Sequence, residues 1–327
     1  MTKSTTTTLR RPGDFGGRCL IGDCDFRAEL LLPSTTYLGL RKSASYLYGS
    51  LRDSDGNLLR MLRSVDAETS TIRSLFVSLP GTQLQRDPRS DEMWLGPTTI
   101  VADGDDVVFS SVGARSSAHF TFVHTAGGCA WDDGEFLSVG GNATGPAIQW
   151  LNTWDSGACF STTGKYRVRG TFLGQAVQGF VGHEIHYFSP GAGWLNSPLG
   201  QVREICWQQV ANEYDDGSIV QATFAYGADG WGFAMVHDEH GFVASTEVRA
   251  EATVRTNGYP ETVRYTFGDQ SWTWRIDAQG ERPGLAAIPM LGADGTCVRD
   301  GDPRRVRFSM GNSDWWTDGR ADHIVAP

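Results

Sequence analysis

The sequence has few of the features that mark nucleic-acid-binding or membrane proteins. Its 28 Lys and Arg residues are outnumbered by 38 Asp and Glu residues, which gives a formal net charge of -10. Proteins that bind nucleic acid normally cluster Lys and Arg on one surface, so we expect no nucleic-acid partner. No apolar run approaches the ~18 residues of a membrane span, and the opening stretch lacks the apolar core of a signal peptide. These absences predict a cytoplasmic protein.

Sequence motifs for metals and cofactors are also lacking. The six cysteines do not show the Cys-x-x-Cys spacing of a zinc or redox site, and we interpret them as reduced thiols. The chain has no G-x-G-x-x-G motif after a strand, no P-loop and no G-x-S-x-G elbow. We therefore predict no metal and no cofactor, and no motif indicates a hydrolase triad.

Glycine and aromatic residues are abundant: 40 Gly, 16 Phe, 11 Trp and 9 Tyr in 327 residues. Apolar and polar residues alternate with period two in many short stretches separated by Gly, Asp and Asn, which is typical of strands joined by tight turns. Residues 45–65 and 98–111 each predict a hairpin, around Asp55-Gly56 and Asp103-Gly104. Helical periodicity is scarce, and its best candidate is residues 67–79.

A chain of this kind must close its sheets into barrels or stack them, because open strand edges promote aggregation. The stretch SPGAGWLNSPLG, Ser189 to Gly200, is the clearest interruption of the strand pattern. We therefore predict an all-β protein with two antiparallel β-barrel or sandwich domains packed side by side. The first covers residues 1–190, with a loose tail at 1–12, and the second covers residues 191–327.

The stretch GFVGHEIHYF, Gly179 to Phe188, groups two histidines with a glutamate. A zinc-binding helix would separate its histidines by four residues, whereas His183 and His186 are three apart. On a strand that spacing sends them to opposite faces, because side chains alternate. The pair His237 and His240 fails the same test and lies in a predicted turn. The spacing therefore argues against a metal at either pair.

The strand interpretation places Glu184, His186 and Phe188 on one face and His183 and Tyr187 on the other. If the first face is buried in a dry cavity, burial would raise the pKa of Glu184, and His186 could exchange protons with it. We predict Glu184 and His186 as the catalytic acid/base pair, with His183 and Tyr187 as further candidates. The alternative is that the Glu184 face is solvated and has no chemical role.

The order of features resembles a known family. A strand-rich region ending GKYRVRGTFLGQAVQGFVGHE, a Gly/Pro connection and then EICWQQVANEYDDGSIVQATFAYGADG resemble the two-domain lipocalin-like proteins that include carotenoid 1,2-hydratase and the AttH-like proteins. The family motif is Asp-His-Glu-aromatic near the mouth of the first barrel, and the compact match is His183-Glu184. Gly182 stands where the family has aspartate, and Ile185 stands in place of the aromatic residue.

The resemblance implies an apolar cavity, no metal, no nucleotide, and acid-assisted hydration, dehydration or cyclisation of an unsaturated hydrophobic molecule such as a terpenoid, polyketide or steroid. An acid would protonate a double bond, and aromatic faces would stabilise the cation. Two alternatives stay open. One is a pericyclase that supplies cavity shape, which the missing aspartate favours, and the other is a carrier that only binds its ligand.

Several residues are candidates for contact with the substrate. Trp207 and Gln208 are predicted pocket-wall residues, and Trp94 and Phe188 are further predicted substrate contacts. Adjacent residues on a strand face opposite ways, so Asp91 and Glu92 do not form a glycosidase pair. Tryptophans that we take as exposed, Trp131, Trp315 and Trp316, keep a weaker carbohydrate-binding interpretation open. Asp314, Arg320 and His323, beside the last two tryptophans, are minor candidates for the site.

Overall fold

The structure of the chain is a computed structural model, and it describes residues 18–24, 28–66, 69–77, 84–87, 92–112, 119–283 and 288–326. The predicted tail at 1–12 and Asp91 lie outside these residues. Antiparallel strands make up about two thirds of the described residues, and most of the rest are turns and loops. The helical segments of this part of the chain are three short turns, at Ala28–Leu31, Leu199–Arg203 and Ala228–Gly230.

The strands of the first 188 residues form one sheet. They are β1 (Arg18–Cys24), β2 (Thr36–Tyr37), β3 (Leu40–Arg52), β4 (Leu58–Asp66), β5 (Thr69–Val77), β6 (Gln85–Arg86), β7 (Glu92–Asp103), β8 (Asp106–Ser111), β9 (Thr121–His124), β10 (Gly128–Asp132), β11 (Leu137–Ala143), β12 (Ala147–Trp154), β13 (Gly157–Phe172) and β14 (Gln175–Phe188).

The two predicted hairpins are confirmed. β3 and β4 pair around Gly56, and β7 and β8 pair around Gly104. Both glycines have positive φ angles, 81° and 62°, which residues with a side chain rarely adopt. The helical candidate at 67–79 is wrong, because Thr69–Val77 is strand β5 and pairs with β4 and β7. Hydrogen bonding to these two strands outweighs the weak helical periodicity of this segment.

The first sheet curls until it closes on itself. From β3 the hydrogen-bonded path runs through β4, β5, β7, β8, β9, β10, β11 and β13 to β14, and β14 pairs again with β3. The interior is packed with apolar and aromatic side chains, including Phe109, Phe122, Trp131, Ile185 and Tyr187. β12 continues outward from the long strand β13, and β1 pairs with β12.

The second sheet follows the connection after Phe188. It contains β15 (Glu204–Tyr214), β16 (Ile219–Gly227), β17 (Gly232–Asp238), β18 (Gly241–Ser245), β19 (Arg249–Val254), β20 (Pro260–Phe267), β21 (Gln270–Arg282), β22 (Met290–Arg299) and β23 (Val306–Trp316). Their order is β18-β17-β16-β15-β23-β22-β21-β20-β19, and they curl around a separate core that includes Phe224, Tyr265 and Trp274.

The two sheets pack against each other through a third apolar cluster. Trp150 and Phe188 of the first sheet meet Trp207 and Phe233 of the second. Two predictions of the fold are thereby confirmed: the chain is all-β, and its two curled antiparallel units lie side by side. Among the described residues, no helix has the length and apolar character needed to cross a membrane.

Candidate functional site

Strand β14 separates two environments. It is held between β13 and β3, with Glu184 opposite Thr163 on one side and Tyr46 on the other. Ile185 and Tyr187 point into the core of the first barrel. Glu184 and His186 therefore point the opposite way, toward the second sheet. The period-two grouping is as predicted, but the glutamate face looks out of the barrel, because the sheet curls with the isoleucine face inside.

A cavity of about 260 Å³ lies between the two sheets on this outward face. Its wall comes from β3, β4 and β14 of the first sheet, from β15, β21, β22 and β23 of the second, and from the connection between them. The lining residues are Tyr46, Tyr48, Arg60, Leu62, Glu184, His186, Trp194, Leu195, Glu204, Trp207, Arg282, Pro283, Ile288, Met290, Gly292, Asn312, Asp314 and Trp316.

Glu184 and His186 form a close pair in this cavity. The Glu184 Oε1 and His186 Nε2 atoms are 3.6 Å apart, and both residues are buried. Burial, reinforced by the charge of Asp314, raises the pKa of Glu184 to about 8, although Lys165 and Gln209 act in the opposite direction. Burial also lowers the pKa of His186 to about 3. At neutral pH the pair is therefore a carboxylic acid beside a neutral imidazole.

Aromatic rings form the wall next to this pair. The His186 ring centroid lies 5.5 Å from that of Tyr46 and 5.7 Å from that of Trp194. Trp194 in turn lies 6.0 Å from Trp207. Aromatic faces carry partial negative charge, so a cation that forms between them is stabilised. The aromatic wall at this end of the cavity can therefore stabilise a positive charge.

Gly182 has a steric role two residues before Glu184. A Cβ atom at Gly182 would lie 2.3 Å from the Tyr48 ring, far inside van der Waals contact. The glycine thus lets the Tyr48 ring lie flat on β14, and this ring forms part of the cavity wall. The position at which the family motif has an aspartate is therefore occupied in space by a neighbouring aromatic ring.

The other end of the cavity is polar. Arg60 of β4 and Arg282 of β21 both donate to Asn312 Oδ1, each at 2.7 Å. Asp294 accepts ion pairs from both guanidinium groups, at 3.2 Å and 2.9 Å. Asp314 lies 3.7 Å from Arg282. Two guanidinium groups, each paired with at least one aspartate, thus converge on one amide oxygen, which places strong hydrogen-bond donors at the cavity wall.

Glu204 adds another buried carboxyl. Its Oε1 accepts a 3.2 Å hydrogen bond from Trp316 Nε1. Burial raises the pKa of Glu204 well above its usual range, and the charges of Asp314 and Glu184 push it in the same direction. Carboxyl groups that share a dry site cannot all ionise. The charge of ionised Glu184 therefore favours the protonated form of Glu204.

The polar residues of the cavity were largely missed in the sequence. Arg60, Arg282 and Asn312 carried no motif, and Asp314 was only a minor candidate. The one available signal was a polar side chain on a strand whose neighbours are apolar. Of the tryptophans proposed to stack on sugars at the surface, Trp316 lines the cavity, whereas Trp131 and Trp315 are buried in the two barrel cores. Burial of all three removes that support for carbohydrate binding.

Comparison with solved structures identifies proteins of similar architecture. A candidate AttH from Nitrosomonas europaea aligns with a TM-score of 0.52 and 16% identity, over 86% of this chain and 95% of the other. The chain has the AttH-like fold. CghA aligns at a TM-score of 0.49, 12% identity, and 93% and 99% coverage. Kievitone hydratase from Nectria haematococca aligns at 0.45, 9% identity, and 89% and 92% coverage. No protein-family model matches the chain, and no curated protein sequence is significantly similar to it.

The AttH-like fold distributes the predicted site residues over several places. Glu184, His186 and Trp207 meet in the cavity. His183 lies inside the first barrel against Phe109 and Phe122.

Tyr187 lies inside the same barrel as His183. Gln208 is buried and bonds Ser313 Oγ at 3.4 Å, away from the cavity lining. Phe188 packs between the sheets, 6.1 Å from the His186 ring. Trp94 lies in β7, and its side chain is outside the described part of the chain.

No group of three or more His, Cys, Asp or Glu residues in the described ranges is arranged to hold a metal ion. His237 lies within strand β17, and His240 lies in the turn before β18. The predicted turn is therefore confirmed for His240, whereas His237 belongs to the strand that precedes it. The five cysteines with described side chains are all free thiols.

Proposed function

We propose that this protein is an enzyme that protonates an unsaturated hydrophobic small molecule in the inter-sheet cavity, leading to hydration, its reverse, or cyclisation. Glu184 is the general acid and His186 is its partner. No cofactor is needed for these steps, because a proton donor, a base and cation-stabilising faces are all supplied by side chains. The observation that carries the proposal is the buried carboxyl of Glu184, 3.6 Å from an imidazole, inside an aromatic-walled cavity.

The protonation states suit this chemistry. A pKa of about 8 keeps Glu184 protonated at neutral pH, so that it can donate. A pKa of about 3 keeps His186 neutral, so that it can accept. Pairs of titratable groups whose surroundings push their pKa values apart commonly mark an acid and a base.

The steps balance without any outside reagent except water. The Glu184 proton adds to one carbon of a C=C bond, and the neighbouring carbon becomes cationic between the faces of Trp194 and Trp207. Water then attacks that carbon and loses a proton to His186 Nε2, which returns a proton to Glu184 across the short gap. If a second double bond attacks instead, a ring closes. The loss of a proton from the product of that attack regenerates the acid by the same path.

The cavity also limits the substrate. A volume of about 260 Å³ lies just below the roughly 300–1,000 Å³ that is usual for small-molecule pockets. A compact terpenoid, polyketide or steroid-like skeleton is therefore favoured over a long chain. In the proposed complex, the apolar part of the substrate lies beside Trp194 and Trp207, and a polar group of the substrate faces Arg60 and Arg282.

Two alternatives make different demands on the cavity. A carrier needs mainly an apolar lining, whereas this lining contains three carboxyls and two guanidinium groups, which favours an enzyme. A pericyclase needs shape and a few hydrogen-bond donors but no acid. Asn312 and its two arginine partners would suit that reaction too, so the role of Glu184 decides between a pericyclase and an acid catalyst.

The test begins with mass spectrometry of small molecules that co-purify with the protein, followed by assays of Glu184→Gln for binding and turnover. We expect near-normal binding and a loss of turnover of about 10²–10⁴-fold, the usual contribution of a general acid. Glu251→Gln, an exposed glutamate on β19, is the matched control. Full turnover in Glu184→Gln would exclude the acid mechanism and leave the pericyclase.

A further inference from the structure

A second cavity lies on the opposite side of strands β13 and β14. Its volume is about 450 Å³, and it opens at one end of the first barrel. Leu30, Leu31 and Ile185 supply apolar wall, and His124 and Tyr166 supply polar wall. Ile185 faces this cavity while its neighbour Glu184 faces the other one, so the two cavities share β14 as a wall and have different linings.

His124 and Tyr166 form a hydrogen-bonded pair in which the donor and the acceptor can be assigned. His124 Nδ1 lies 3.1 Å from the Thr125 carbonyl oxygen, which can only accept, so Nδ1 carries the proton. Burial lowers the pKa of His124 to about 4, so the ring is neutral and Nε2 is an acceptor. The Tyr166 hydroxyl, 2.5 Å away, therefore donates to Nε2.

Among the described residues, no group donates a hydrogen bond to the lone pairs of the Tyr166 oxygen. Its one hydrogen bond within the described residues is the bond that it gives to His124. Gly164 keeps this oxygen open, because a Cβ atom at that position would lie 2.7 Å from it. Gly164 itself lines the cavity. A molecule in the cavity can thus approach the oxygen over the glycine, and only a hydrogen-bond donor completes its partners.

We propose that this cavity is a second binding site, distinct from the inter-sheet cavity, for a small hydrophobic molecule that carries a hydroxyl group. The hydroxyl donates to Tyr166, and the apolar body lies against Leu30, Leu31 and Ile185. An ether or ester of the same skeleton lacks the donor and binds less well. The site selects a hydroxyl because the direction of the His124–Tyr166 bond is fixed by the Thr125 carbonyl.

Two probes test the need for a donor: 2-naphthol and its methyl ether, 2-methoxynaphthalene. Isothermal titration calorimetry of the full chain should show 2-naphthol binding about tenfold more tightly at this site, the size of one good hydrogen bond. In Tyr166→Phe the apolar wall is kept and the acceptor is lost. The tenfold preference should fall to about twofold or less. A preference that survives in Tyr166→Phe would overturn the proposal.

A second pair of variants locates the site. Ala147 lines the cavity, and it lies on the face of β12 opposite Ile148, which packs between the sheets. Ala147→Trp should therefore fill the cavity and lower the number of 2-naphthol molecules bound by one.

Gln149→Trp, on the same face of β12 but outside the cavity, is the matched control, and it should bind as many molecules as the unaltered chain. Near-ultraviolet circular dichroism checks that both variants are folded. An unchanged stoichiometry in folded Ala147→Trp would contradict the proposal.

Discussion

A test of the Glu184 protonation state needs no substrate, because the same pKa that suits the acid also controls stability. The pKa of Glu184 rises from 4.5 to about 8 on folding. The folded chain therefore holds this proton more tightly than the unfolded chain. The contribution of Glu184 to stability is fully present below pH 4.5 and is lost as the pH rises through 8.

The size of this contribution to stability follows from the interval between the pKa values of Glu184 in the unfolded and folded chain. Each pH unit between the two pKa values costs about 1.4 kcal/mol, so the upper limit is about 5 kcal/mol. Relaxation and water entry at a site that touches a cavity reduce such penalties, and we expect about 2–4 kcal/mol. Glu184→Gln has nearly the same shape and cannot ionise. It should match the unaltered chain at pH 5 and exceed its stability by about 2–4 kcal/mol at pH 9.

The assay is urea denaturation at pH 5 and pH 9, comparing the unaltered chain, Glu184→Gln and the control Glu251→Gln. Other titratable groups, including Glu204, are present in all three proteins and largely cancel in the comparison. Glu251 is exposed, so its replacement should change stability by less than about 0.5 kcal/mol at either pH. If Glu184→Gln is no more stable than the unaltered chain at pH 9, Glu184 ionises normally and cannot be the acid.

Further predictions concern catalysis and the glycine on the same strand. Turnover should fall as the pH rises through about 8, because the acid loses its proton. Since the charge of Lys165 holds the pKa of Glu184 down, Lys165→Met should move that decline to higher pH, as a pH–rate profile would show. An unmoved profile would mean that Lys165 does not act on Glu184. Gly182→Ala places a Cβ 2.3 Å from the Tyr48 ring and should cost about 1–3 kcal/mol in thermal unfolding. Gly127→Ala meets no atom within 4 Å and serves as its control; equal losses in the two variants would contradict the steric explanation.

Local patterns in the sequence predict most of the strands and the grouping within β14. Because side chains alternate along a strand, Glu184 and His186 share a face whatever the strand packs against. Glycine and aspartate fix the hairpin turns, because few other residues adopt positive φ without strain. These features depend on neighbours within a few residues, so they can be read without the rest of the fold.

Which face of a strand points into the barrel depends on contacts between residues far apart in the chain. β14 pairs with β3, so Glu184 lies opposite Tyr46, and this pairing closes the barrel with the isoleucine face inside. Residues 67–79 show the same limit, because the partners β4 and β7 decide that the segment is a strand. No local pattern in these stretches states which strand will be the partner.

The polar end of the cavity was hidden for the same reason. Arg60 and Arg282 come from different sheets, yet both donate to Asn312. A buried arginine on a strand gives no signal in the sequence until its partners are known. Only the packing of the two sheets brings these charges together.

The balance of charge in the cavity explains why the buried carboxyl of Glu184 favours its protonated form. Arg60 and Arg282 are compensated by Asp294 and Asp314, so this cluster has no net charge to stabilise a further anion. Ionised Glu184 would then add a negative charge to a buried site, where the charge of Lys165 offsets only part of the cost of burial. In the proposed reaction, proton transfer from Glu184 to the substrate creates that charge, and the substrate cation that forms beside it is the partner. The cavity therefore favours the ion pair of cation and carboxylate over the free carboxylate, which is the preference that an acid catalyst requires.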